Sequence, residues 1–384
     1  MLGKTNKALL SAGLFLLVLL LTALPALAVA PSFSEDSETV MLRGRVVSVE
    51  DMEPEEDMRD FVEIEQLAVV EITSGEYKGE THTILNALMG HPFFDLYLTE
   101  GRRVTLWGEV DDTGTLRQVY LQDFVRDTYL YALGALFVLA LVLVGRRKGL
   151  VTVVTLLVTV FAVARILLPL LLKGYSPVPI TILIASGITV VTLVGIGGFQ
   201  RKTAAAAIGT VGGVMVAGLL ALMIGQAAHL TGFSSEEAQM LLYMETGLID
   251  VRGLLFAGII IGALGAVMDV SMSIAAASHE IYCVNPAICM REQIKSAMNV
   301  GRDVMGTMAN TLILAYVGTT MPLLLLFLGY ETPFMSIINM DLIATEVVRA
   351  LSGSIGLVAA IPLTALASGL LTVRNDKNTG ASVK

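Results

Sequence analysis

One carboxylate stands inside an otherwise apolar run, and its spacing from the surrounding glycines gives the sequence its first chemical signal. Gly258, Gly262, Gly265 and Asp269 are spaced four, three and four residues apart, so on a helix they share one face, which Ser273, Ala276 and Glu280 continue. Glycines at that period let neighbouring helices approach closely, and this predicts that Asp269 points into a helix bundle. An ionised Asp at the centre of a bilayer costs at least about 2.5–3.5 kcal/mol, so such a group is normally paired, protonated or solvated. Asp269, with Ser271 and Ser273 beside it, is therefore the candidate for an ion, proton or substrate path. Asn310, in the next apolar stretch, is placed to meet it from an antiparallel helix. Further polar pairs fall at predicted boundaries: His279 with Glu280, Arg302 with Asp303, and Glu346 with Arg349, the last at helical i,i+3 spacing.

No nucleophile–base–acid set accompanies these residues. GxSxG, HExxH and Walker A signatures are absent, and the four histidines (82, 91, 229 and 279) are scattered. The reading is of a chain that is not an enzyme and has no metal or cofactor site. Cys283 and Cys289 form no disulfide framework and are read as reduced structural thiols.

The elements that position these residues follow from composition. Hydrophobic residues make up 55% of the 384 and charged ones only 15%, against roughly 25% charged in soluble domains. The 25 Lys and Arg against 34 Asp and Glu exclude a nucleic-acid binder and leave a polytopic membrane protein. Crossing about 30 Å of hydrocarbon takes about 20 apolar residues. Eight stretches meet that length or approach it: 9–30, 129–144, 150–172, 178–199, 204–228, 254–277, 308–328 and 347–373. Pro322 and Pro362 are expected to kink the last two. The glycines of the fourth and fifth stretches, Gly187 to Gly218, are read as close packing.

Basic residues fix the predicted orientation. Lys4, Lys7, Arg146, Arg147, Lys148, Arg201, Lys202, Arg291, Lys295, Arg302 and Arg374 flank one side, and acidic residues dominate the other. By the positive-inside bias both termini are cytoplasmic in a cell membrane, with 31–127 outside. Residues 1–30 read as an uncleaved anchor or, alternatively, as a cleaved signal sequence; either leaves 31–127 outside. Residues 128–375 form the membrane domain and 376–384 a cytoplasmic tail. Within the membrane domain Asn285–Pro286 is expected to start an amphipathic helix, 286–303, with Met290, Ile294, Ala297, Gly301 and Val304 as its apolar stripe. Its place is either an elbow on the cytoplasmic membrane surface or a surface for a partner. A second amphipathic stretch, Glu236–Met244, is expected on the outer surface.

Residues 31–127 are a different material, with eight basic and 22 acidic residues and a net charge of −14, while the remainder is +5. Five strands are predicted: 40–49, 63–73, 80–88, 104–110 and 116–124, with a less strand-like piece at 91–100. Five short strands interrupted after the third suggest a small all-β, OB-like domain. Six of the eight residues 50–57 are acidic and read as a solvated loop.

Three runs then resemble a known family. They are Gly262-Ala-Leu-Gly-Ala-Val-Met-Asp269-Val-Ser-Met-Ser-Ile-Ala, the run from Gly301-Arg-Asp-Val through Asn310 to Gly318, and Glu346-Val-Val-Arg349 with Ala360-Ile-Pro-Leu-Thr-Ala. They resemble YibE/F-like membrane proteins over about residues 125–375. The resemblance implies a bacterial, Gram-positive or clostridial-type, cytoplasmic-membrane protein without an assigned activity, and it supplies no catalytic or binding residues. From the residues, the leading function is a transporter or permease-like component. The alternative is a scaffold or sensor whose outer domain binds a ligand or partner. The lipid bilayer, a second copy of the chain or a paired membrane subunit are the expected partners.

Overall fold

A computed structural model describes residues 38–54, 58, 61–111, 113–243 and 249–373. The first predicted span, the tail 376–384 and residues 55–57 of the acidic block lie outside the described residues. By contacts the chain divides into a β unit within Val18–Ala140 and a helical unit within Leu141–Lys384.

The β unit is one antiparallel sheet of β1 (Glu38–Met52), β2 (Ile64–Ile72), β3 (Thr81–Leu88), β4 (Arg103–Val110) and β5 (Leu116–Phe124), in the order β3-β2-β1-β4-β5. The sheet curls until β3 and β5 approach one another, although no ladder joins them. Alternation places Leu42, Val46, Val70, Val104 and Leu106 inside. Gly44, in the middle of the longest strand, supplies the space for the curl, because a Cβ there would collide with Val70 and Leu106. A register shift between Val46 and Ser48 adds a bulge to β1.

The piece between β3 and β4 is held by polar groups centred on one buried amide. Gln66, fully buried, donates from Nε2 to Asp51 Oδ1 at 2.8 Å and accepts at Oε1 from the Leu98 N–H at 2.8 Å. Asn86 donates to the Leu96 carbonyl at 2.8 Å, and the Tyr97 hydroxyl donates to Asp51 Oδ2 at 2.8 Å. Asp51 is thus not part of a solvated acidic loop. It extends β1 and anchors the 91–100 segment. The bonds from Gln66 and then Tyr97 hold its carboxyl below the usual carboxylate range, and Asp51 in turn pushes the Tyr97 phenol up.

The helical unit and the helix leading to it comprise α1 (Asp127–Gly145), α2 (Arg147–Leu172), α3 (Pro177–Gly197), α4 (Arg201–Ala227), α5 (Glu236–Met240), α6 (Val251–Val284), α7 (Met290–Gly329), α8 (Phe334–Ile338) and α9 (Asp341–Val373). Seven of these, all but α5 and α8, are long and apolar enough to cross a membrane. In α2 the ladder widens to a π-helix over Ala162–Leu167, just before Pro169, which has no N–H to donate back.

The packing centre is the crossing of α4 and α9. Gly209, Gly213 and Ala217 meet Thr364, Ala360 and Gly356 in antiparallel order, and a Cβ on Gly213 would lie 2.7 Å from both the Gly356 carbonyl oxygen and Ala360 Cβ. The expectation of close packing for the α4 glycines therefore holds at Gly209 and Gly213. Gly187 on α3, by contrast, faces open space.

The amphipathic segment differs from expectation. It is the first part of α7, one helix of 40 residues, with Cys289 as N-cap; Asn285 instead caps the end of α6. The phase of the stripe is as predicted, with Arg291, Glu292, Lys295 and Asn299 exposed. The apolar side packs on α9, with Gly301 against Ile361 and Ile294 against Gly369. Glycines on both helices permit this contact, which buries the stripe against protein instead of a membrane surface.

Two outcomes test this packing. Gly213→Ala should lower stability in detergent by about 1–3 kcal/mol, as overpacking does, while Gly187→Ala should leave the melting temperature within error. For the β unit, a depressed folded-state pKa contributes stability above the unfolded carboxyl value of about 3.9 that is lost as pH falls through the folded value. The stability deficit of Asp51→Asn, followed through the emission of the single tryptophan Trp107, should therefore be largest near neutral pH and shrink below about pH 4.

Candidate functional site

On α6 the structure separates the residues grouped by the sequence. Gly258, Gly262, Gly265, Asp269, Ser273 and Glu280 share one face, and all are exposed in the single chain. The buried face of α6 is the opposite one, built on Ala263, Val267, Val270 and Ile274 against α4 and α9. Asp269 thus points away from the bundle of its own chain, a reversal of the expected direction. The physical reason is that the bulkier aliphatic face makes more van der Waals contact when it is packed against α4 and α9. A Cβ at Gly258 or Gly265 would meet nothing within 4 Å, whereas one at Gly262 would sit 2.9 Å from the Tyr316 hydroxyl of α7.

That contact sets the antiparallel register of α6 and α7. Taken with the contact of Gly301 and Ile274, it places Asp269 at the level of the Gly306–Asn310 turn of α7. Asn310 is also exposed. Neither Asp269 nor Asn310 has a side-chain hydrogen bond or ion pair among the described residues. Ser271 lies two positions from Asp269 and so on the other side of the helix. It is fully buried, with an unpartnered hydroxyl. The structure therefore keeps Asp269, Ser273 and Asn310 on one open side and removes Ser271 from it.

The boundary pairs fare differently. Glu346 and Arg349 form the predicted ion pair, Nη1 to Oε1 at 2.6 Å, with Arg349 31% and Glu346 18% exposed; the second oxygen, Oε2, is buried without a hydrogen-bond partner. His279 turns to Cys283, with Nε2 and Sγ 3.7 Å apart, instead of to Glu280. Arg302 donates to Asn299 at 3.2 Å and makes no pair with Asp303. In each case a partner three or four residues away is reachable on a helix where an adjacent residue is not.

Sequence reasoning missed several polar residues that tie the bundle together. Gln293, fully buried on α7, donates to Ser278 Oγ at 3.2 Å across the α6–α7 turn. Arg252, in the first turn of α6, donates to the Gly225 carbonyl at the end of α4 at 3.0 Å. Arg201, opening α4, donates to the Leu371 carbonyl near the end of α9 at 3.0 Å. Two arginines at helix starts thus cap two neighbouring helix ends. Their only sequence signal is a basic residue in a first turn, where the helix dipole disfavours it. Arg165, exposed inside the π-helical turn of α2, was likewise not singled out. Among the described residues no group of three or more His, Cys, Asp or Glu side chains is placed to hold a metal ion.

A half-buried carboxylate beside one guanidinium should be sensitive to loss of that partner. Arg349→Ala alone should destabilise the protein by about 1–3 kcal/mol. The Glu346→Gln/Arg349→Ala double should recover part of that loss, as a double-mutant cycle of melting temperatures in detergent would show.

A family model described as YibE/F-like protein matches residues 133–374, more than half of the chain. No curated protein and no solved structure matches it.

Proposed function

Because the chain belongs to the YibE/F-like family and carries seven helices of membrane-crossing length among its described residues, we propose that it is a polytopic membrane protein working as a transporter or permease-like component. The observation that carries this reading is the open face of α6: Asp269, unpaired among the described residues, on a glycine-lined stripe within about one helical turn of the level of Asn310. Such a carboxylate is costly against lipid, and intramembrane ionisable groups default to ion, proton or substrate paths. The path is completed by a second copy of the chain. The α6 glycines admit a partner helix, and the partner's α7 offers Arg302 and Asn310, both exposed, to Asp269.

The orientation has both termini cytoplasmic and the β unit outside. In its support, Arg146, Arg147, Lys148, Arg201, Lys202 and Arg291 gather at alternate helix ends, while Glu236, Glu237, Asp250, Glu331 and Asp341 occupy the others. Strand order and curl support reading the β unit as an OB-type barrel.

A second reading, a scaffold or sensor, draws on a cleft between β3 and β5 lined by His82, Asn86, Phe94, Arg117 and Tyr120. It differs in what happens when the β unit is deleted: a sensor loses its whole phenotype, whereas a transporter keeps part of its flux.

The experiment compares wild type with Asp269→Asn and Asp269→Glu in proteoliposomes under proton and sodium gradients. Asp269→Asn should lose ten-fold or more of the flux, of the order expected when one charge-assisted contact is removed, while Asp269→Glu keeps part of it. In a background with Cys283→Ser and Cys289→Ser, Gly265→Cys should cross-link two copies. Full flux in Asp269→Asn at equal expression sinks the site, and a monomeric Gly265→Cys protein sinks the second copy.

A further inference from the structure

Three arginines converge in the β unit close to where the chain turns into α1. Arg43 and Arg45, two apart on β1, are exposed on the outward face, and Arg45 is the direct register partner of Arg103 on β4. Like charges opposite one another across an antiparallel pair repel. Among the described residues Arg43 is ion-paired, Nη2 to Asp127 Oδ2 at 2.5 Å. Among the described residues Arg45 and Arg103 have no carboxylate within ion-pair distance, although Glu71 is the register partner of Arg45 on β2. In a segment of net charge −14, two guanidiniums opposite one another without an ion pair among the described residues concentrate positive charge locally.

The three arginines line one open pocket together with Thr73, Ser74 and Thr128. Ser74 Oγ accepts from the Arg43 N–H at 2.9 Å, which leaves its own hydroxyl proton free to donate. Thr128 lies in the first turn of α1, a helix of 19 residues, next to Asp127, whose carboxylate holds the Arg43 side chain at the pocket. Tyr129 and Tyr131 are exposed in that same stretch, and such amphipathic rings settle at headgroup depth when a helix enters a bilayer.

We propose that Arg43, Arg45 and Arg103 form a phosphate-binding site that takes the headgroup phosphate of an anionic phospholipid or a free phosphate ion. Planar guanidiniums match phosphate oxygens two at a time, which suits the opposed pair Arg45 and Arg103. The lipid source rests on reading α1 as a membrane span, since that reading puts the pocket at headgroup level. A site of this kind would draw one face of the acidic domain towards a surface that otherwise repels it.

The test uses the full chain in mild detergent, titrated with phosphatidylglycerol, with phosphatidylcholine and with inorganic phosphate. Retained lipid is read by native mass spectrometry and Trp107 emission checks the fold. Wild type should retain phosphatidylglycerol over phosphatidylcholine, and Arg45→Gln/Arg103→Gln should weaken that retention by at least about ten-fold. Arg45→Lys/Arg103→Lys should fall between them, because a point charge lacks the fork. If millimolar inorganic phosphate displaces the lipid from wild type but has no effect on the Gln double, the ligand is the free ion. Equal phosphatidylglycerol retention by wild type and the Gln double overturns the site. Should Trp107 emission show the Gln double unfolded, equal retention by wild type and the Lys double overturns the site instead, and weaker retention by the Lys double supports it. The membrane reading fails separately, if alkaline washing without detergent releases the wild-type protein from membranes.

Discussion

The helical unit is organised around backbone contact between α4 and α9. Between helices already in an apolar solvent, hydrophobic transfer supplies no net attraction, so association depends on close van der Waals contact and on hydrogen bonds. Gly209, Gly213 and Gly356 remove the side chains that would keep the axes apart, and Ala217, Ala360 and Thr364 fill what remains. Val267 of α6 reaches the same point as Gly213, so three helices meet where the side chains are smallest. Such a contact leaves little freedom, since adding one methyl requires backbone movement. The lateral position of α6, and with it the direction in which Asp269 points, follows from this crossing.

The polar bonds serve the same arrangement at the ends of the helices. Arg252 on α6 closes the last turn of α4, Arg201 on α4 closes that of α9, and Asp341 at the start of α9 accepts from Thr231 in the loop after α4 at 2.7 Å. Each bond satisfies a backbone or side-chain group that the helix geometry leaves open. In the β unit Gln66 acts similarly, filling a buried position that a carboxylate, an amide and a non-strand segment all need.

Much of this was legible in the residues. Strand positions followed from alternation, since the 104–110 pattern allows only one face to be buried; apolar length marked α1 to α4 to within three residues at each end, while α6, α7 and α9 run 7, 18 and 6 residues past one end of their apolar stretches. The phase of the 286–303 stripe was correct for the same reason, that 3.6-residue periodicity is local. What covers a face is not local. The glycine stripe ending at Asp269 and the one through Gly213 look alike in sequence, yet the second meets the backbone of a helix of the same chain and the first only the tip of one side chain, Tyr316 at Gly262. Only the competing bulk of Val267, Val270 and Ile274 decides between them. Ser271 and Ser273 differ by two residues and therefore by almost opposite directions, a distinction that a list of nearby oxygens conceals. Gln66, Gln293 and the capping arginines were missed because their partners are backbone, hydroxyl, amide or carboxylate groups from other segments, which carry no spacing signal.

The uninterrupted course of α7 has a mechanical meaning. Forty residues at 1.5 Å each make a rod of about 60 Å, twice the hydrocarbon thickness. No loop separates the charged surface around Arg291 and Lys295 from the stretch that carries Asn310, and Pro322 comes only after both. A load on the Arg291 end is therefore not absorbed at a joint. Any tilt imposed there would reach the segment near Asp269 as well, pivoting where Gly301 rests on Ile361 of α9.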